Sequence, residues 1–150
     1  MGIPLQTGWH AIYLCGEFPE LTIAHAKAWC ISRDIDPADA NTRFIFSDLA
    51  PNLLSRPDID LLIPRIKQLL PTDGKAVIYI DTLQRAASGS DLNSFKEMSC
   101  VVENLEYLGK QLKSPIVLAA HPPKSGGDDP LGSSVMGNAT GSMWEMHCVN

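Results

Sequence analysis

The sequence predicts an α/β fold, a mostly parallel sheet with helices on both faces and so three layers. Three observations carry this. Strand-like and helix-like stretches alternate along the chain, the order that builds parallel sheets. Two of the strand-like runs, "AVIYID" and "PIVLAAH", are apolar without interruption, as buried strands are. Three strands deliver a chemistry-bearing group at their carboxyl end: Glu17, Asp81 with Thr82, and His121. A parallel sheet gathers such ends on one edge, where open α/β sheets bind their ligands.

The elements follow in order. "HAIYLCGE" (10–17) is a strand ending in Glu17. "PELTIAHAKAWCISR" (19–33) is a helix, with Leu21, Ala24, Ala28 and Ile31 at helical spacing and Pro19 in its first turn. "DPADAN" is a loop, and "RFIFSD" (43–48) a short strand. "DIDLLIPRIKQLL" (58–70) is helical with Asp58 as its N-cap, and Pro64 kinks it or delays its start. "PTDGK" is a turn into the strand "AVIYID", and "SGSDLNS" is a loop. The longest helical pattern spans 93–113, with Phe95, Met98, Val101, Val102, Leu105, Leu108 and Leu112 on one stripe. "SPIVLAAH" (114–121) is a further apolar strand, followed by a long loop and a last strand, "SMWEMHCV" (142–149).

Composition narrows the function classes. A chain of 150 residues is expected to be a single domain with a real core. The net charge of −5 argues against gripping nucleic acid by bulk charge. No long apolar segment points to a membrane. Cys15, Cys30, Cys100 and Cys148 form no CxxC pair, and the four His are scattered, so reduced thiols in a cytoplasmic protein are expected and no zinc site. Trp9, Trp29 and Trp144 are expected to pack in the core or at its rim. Met136, Met143 and Met146 are read as core or as an adaptable contact surface.

Three stretches then resemble a known family. "YLCGEFPELTIAHAKAW", "VIYIDTLQRAASGSDLNSFKEM" and "VLAAHPPKSGGDDPLGSSVMGNA" are similar to the RecA-like ATPase core of phage and plasmid replicative helicases of the RepA type, in the right order and over nearly the whole chain. The resemblance implies roles residue by residue. Asp81, with Thr82 beside it, matches the Walker B acid, which holds Mg²⁺ through water beside the phosphates of ATP. Glu17 matches the catalytic glutamate that activates the attacking water. His121 matches a sensor of bound phosphate, and Arg85 and Lys124 match basic positions of the nucleotide site. Gly132, Ser133 and Ser134 match a loop that faces the channel or the neighbouring subunit.

The departures from the family pattern set the functional expectation. No G-x-x-x-x-G-K-[ST] phosphate loop occurs among the 150 residues. That motif would supply a nest of backbone N–H groups and the lysine for the β and γ phosphates. An acid, a second His and an arginine of the pattern are replaced by Leu92, Pro122 and Leu131. The fold expected is therefore a RecA-like sheet truncated at its N-terminus, without the phosphate-loop strand. That strand would lie between "PIVLAAH" and the last strand, so its loss turns "PIVLAAH" into an apolar edge, and such edges are rarely left bare. The last strand closes the gap, "MGIPLQTGW" covers it, or a second chain pairs there as a homodimer or protein partner.

Two function classes follow. The first is a degenerate relative of a helicase core, of a mobile-element or phage type, that binds protein and needs no cofactor. The second is an ATPase that uses Mg·ATP with an atypical or neighbour-supplied phosphate site. Arg85 with Lys124 could touch single-stranded DNA, but two bases make no electrostatic groove.

Overall fold

The structure, a computed structural model, describes residues 8–40, 43–71, 74–121, 134–142 and 144. Four strands, β1 (Trp9–Cys15), β2 (Phe44–Ser47), β3 (Lys75–Asp81) and β4 (Ile116–Ala119), form one sheet in the order β2-β1-β3-β4. Every pairing is parallel. The helices are α1 (Pro19–Ser32), α2 (Pro37–Ala40), α3 (Arg56–Leu69), α4 (Leu83–Ala86), α5 (Phe95–Leu112) and α6 (Ser134–Ala139).

Connection handedness places the helices. From β1 to β2 the chain steps outward one way, and from β2 to β3 and β3 to β4 it steps the other way. Right-handed crossovers then put α1 on one face of the sheet, and α3 and α5 on the opposite face. Packing agrees. Ile59, Ile63 and Ile66 of α3 and Met98, Val101 and Leu108 of α5 join Ile12, Leu14, Ile78 and Ile80 in one buried cluster. On the other face Thr22 Oγ1 of α1 lies 3.7 Å from Cys15 Sγ. That second face carries Tyr13, Phe44, Phe46 and Tyr79, whose rings lie about 6 Å apart in a half-buried row.

Several expectations are corrected. Leu21, Ala24, Ala28 and Ile31 of α1 are exposed, and the line turned inward is Thr22, Ala26 and Cys30, at spacing of four. Helix α3 begins earlier than predicted: its N-cap is Ser55, whose Oγ accepts from the Asp58 amide at 3.4 Å, not Asp58 itself. Pro64 sits inside α3, exposed, without ending it. Phe95 leaves the predicted stripe of α5 and is 69% exposed. The buried position the pattern did not show is Asn104, whose Nδ2 donates to the Leu53 carbonyl at 2.7 Å.

The "DPADAN" loop contains α2, and "LQRA" forms the single turn α4. The loop after β4 contains α6, with Met136 buried against α5. Trp29 and Trp144 are exposed rather than packed, while Trp9 is half-buried. Ser142 and Trp144 are not in a strand; the rest of the predicted last strand, with Met143 and Met146, lies outside the described residues, as does "MGIPLQT" at the start. Cys15, Cys30 and Cys100 are free thiols, and Cys148 lies outside the described residues. Among the described residues no helix is long and apolar enough to cross a membrane.

Candidate functional site

The carboxyl ends of β1, β3 and β4 meet at one rim, as the sequence predicts. Register puts Cys15 beside Asp81 and Asp81 beside Ala119, so the chain leaves each strand at the same level. Gly16 follows β1 directly, and its amide donates to the Asp81 carbonyl. A Cβ at Gly16 would stand 2.7 Å from Arg85 Cβ and 3.0 Å from Ala50 Cβ, so only glycine fits this approach. Phe18, in a left-handed conformation (φ 46°), then turns the chain into α1.

Glu17 is the hub. Its Oε1 accepts from the Thr82 hydroxyl at 3.2 Å and lies 3.4 Å from Arg85 Nε. Its Oε2 lies 3.5 Å from His121 Nε2. The backbone of Glu17 is fixed as well, since the Cys15 thiol donates to its carbonyl at 2.9 Å. Thr82 is buried, and its hydroxyl finds its acceptor in this carboxylate. The carboxylate is only 22% exposed, while Arg85 and His121 reach it from positions about 60% exposed. Pairs of such exposure contribute about 0–1 kcal/mol each to stability, so their importance here is directional.

Asp81 is held separately. Its Oδ2 accepts from the Tyr13 hydroxyl at 2.6 Å. Burial raises the Tyr13 pKa above the ordinary phenol value, and the hydrogen bond to Asp81 and its negative charge raise it further. The peptide bond joining Asp81 to Thr82 is cis. Gln84 ties β4 to the same rim: its Nε2 donates to the His121 carbonyl at 3.4 Å and its Oε1 accepts from the His121 amide at 3.3 Å.

The predicted residues Glu17, Asp81, Thr82, Arg85 and His121 thus converge, with Glu17 joined to Thr82, Arg85 and His121. Ser134 opens α6, and Lys124, Gly132 and Ser133 lie outside the described residues, as do Pro122 and Leu131. Tyr13, Gln84 and Gly16 belong to the rim and escaped the sequence reading. No sequence signal marks Tyr13: it shares a sheet face with Asp81 only through the β1–β3 register.

Chemically, the rim is self-satisfied. One acid is capped by a phenol, and the other is met by a hydroxyl, a guanidinium and an imidazole. The Asp81 carboxylate is an oxygen donor of the kind hard cations take, and the Arg85 guanidinium is of the kind that contacts anions. Among the described residues no group of three His, Cys, Asp or Glu side chains is arranged to hold a metal by itself.

No protein-family profile matches the sequence, and no curated protein does. Among solved structures, the crystal structure of the RadB recombinase is similar in fold, with a TM-score of 0.51 at 15% sequence identity. The match covers 89% of this chain and 60% of that one, so the chain spans less than two thirds of the protein it resembles. With the all-parallel sheet and its flanking helices, the likeness shows a RecA-like core.

Proposed function

We propose that this chain is a degenerate RecA-like protein, related to the RepA-type helicase core, which works by associating with protein along the free side of β4. A second copy of the chain is the partner we assign first, giving a homodimer through paired sheet edges. The observation that carries this is the state of β4. Among the described residues it pairs with β3 alone, its outer side has no strand partner, Val117 is 40% exposed and Ala119 is exposed. An apolar strand of this kind is a template for another strand.

The rim supports the non-catalytic half of the reading. In this reading Asp81 descends from a Walker B acid, Glu17 from a catalytic glutamate and His121 from a phosphate sensor. Each is engaged by a group of the chain itself. The 150 residues contain no Gly-Lys-Ser or Gly-Lys-Thr to cradle phosphates. Gly132, Ser133 and Ser134 are assigned to contacts with the partner, and Lys124 to the former nucleotide site. A mobile-element or phage accessory protein in the cytoplasm fits this description.

One observation favours a second reading. Glu17, Thr82, Arg85 and His121 converge on the edge where a sheet of this class binds ligands. In that reading the chain is an ATPase subunit that takes Mg·ATP with a phosphate cradle supplied by a neighbour. Turnover and melting separate the two. The purified chain is expected to release phosphate from Mg·ATP at the buffer rate and to show no melting shift with Mg·ATP. Turnover that Glu17→Gln abolishes, or a shift of several degrees lost in Asp81→Asn, contradicts the non-catalytic reading.

A further inference from the structure

A cleft lies at the opposite end of the sheet from the acidic rim. Trp9 and Lys75 are the first residues of β1 and β3 and are partners in register. With Lys67 near the end of α3, and Gln111 and Lys113 at the end of α5, they line a cleft of about 700 Å³. That lies within the size range of about 300–1,000 Å³ found for small-molecule sites. We propose that this cleft binds a nucleoside phosphate, with the base against Trp9 and the phosphate among Lys67, Lys75 and Lys113.

Charge is the first argument. The chain carries a net charge of −5, yet three lysines line one cleft, and no acid does so among the described residues. None of the three is in an ion pair among the described residues, whereas Lys110 nearby is paired to Glu106 at 3.0 Å. Lys67 and Lys113 also stand at helix C-termini, where a cation offsets the exposed carbonyls. That role does not extend to Lys75, which begins a strand. Its ammonium lies 5.8 Å from the centre of the Trp9 ring, so cation and aromatic ring face the same space.

Shape and polarity are the second argument. Leu70, Pro71 and Leu112 give the cleft an apolar wall beside the lysines. A bare phosphate would leave that wall and Trp9 unused, and a neutral ring would leave three cations unused. A planar base carrying a phosphate uses both, by stacking on the indole and by point-charge contact with the ammonium groups. The ligand is either a free mononucleotide or the end of a single strand, which share this chemistry.

Calorimetric titration of the whole chain with AMP in EDTA tests the proposal, because the acidic rim would need magnesium and a triphosphate. AMP is expected to bind, and adenosine and inorganic phosphate each to bind at least tenfold more weakly. The double variant Lys67→Glu/Lys113→Glu should weaken AMP at least tenfold. Lys67→Gln/Lys113→Gln should weaken it less and lower the melting temperature only slightly, and Glu17→Gln should leave AMP binding unchanged. A tetranucleotide binding more tightly than AMP would identify a strand as the source, and weaker binding a free nucleotide. Absence of AMP binding at millimolar concentration, indifference to lysine reversal, or loss of binding in Glu17→Gln would each overturn the assignment, whatever the fate of the association reading.

Discussion

Tyr13 and Asp81 show how one hydroxyl sets the state of the rim. The phenol is half-buried on the sheet face and donates to the carboxylate at 2.6 Å. Removing it in Tyr13→Phe is expected to cost about 1 kcal/mol at neutral pH, the ordinary net value of a hydrogen bond with the partner left partly hydrated. The pH dependence has a definite sign. Tyr13 holds its proton more tightly folded than unfolded, because burial and then Asp81 disfavour the phenolate. The associated stability is therefore whole below the ordinary phenol pKa of about 10 and is lost as pH rises above it. Urea midpoints across alkaline pH should fall more steeply for the parent than for Tyr13→Phe; parallel curves would contradict the assignment. Tyr107 also ionises late, mainly through its hydrogen bond to Asp60, and serves as an internal comparison.

Among the elements, α5 is ordered by one polar residue that the apolar pattern does not reveal. Asn104 is 2% exposed, and its amide nitrogen reaches the carbonyl of Leu53, which is itself fully buried in the turn before α3. The contact locks that turn onto the helix. Asn104→Leu, which keeps the size, leaves the Leu53 carbonyl without this donor and is expected to lower the urea unfolding free energy by about 1–3 kcal/mol. A loss below a few tenths would mean that another donor reaches the carbonyl.

The same scale shows what could be read from sequence. Strands β1, β3 and β4 were legible because their runs are apolar and bounded, and the stripe of α5 was legible from Met98 to Leu112. The face of α1 was not. Its apolar residues lie all round the helix, so periodicity could not tell Leu21 and Ile31 from the inward Thr22, Ala26 and Cys30. The short helices α2, α4 and α6 are too brief to show a period. Glu17, Asp81 and His121 could be found because strand ends are marked by the change from apolar to polar. Tyr13 and Gln84 could not, because their roles depend on strand register and on a contact between residues 84 and 121.

At the scale of the whole molecule, the outer side of β4 has no strand partner among the described residues. In the parallel ladder the Ile78 amide donates to the Pro115 carbonyl, so the alternating pattern turns the amides of Ile116 and Leu118 away from β3. Those amides would hydrogen-bond across a subunit boundary if β4 pairs with a second copy, extending one four-stranded sheet into a continuous eight-stranded one. A lysine on an edge is a known bar to such pairing, and Val117 offers an exposed position for it. The most direct test is hydrogen exchange of the Ile116 and Leu118 amides as a function of protein concentration, in the parent and in Val117→Lys. Exchange that slows as concentration rises in the parent, and stays fast in Val117→Lys, is the predicted result. Rates independent of concentration in the parent would contradict the account.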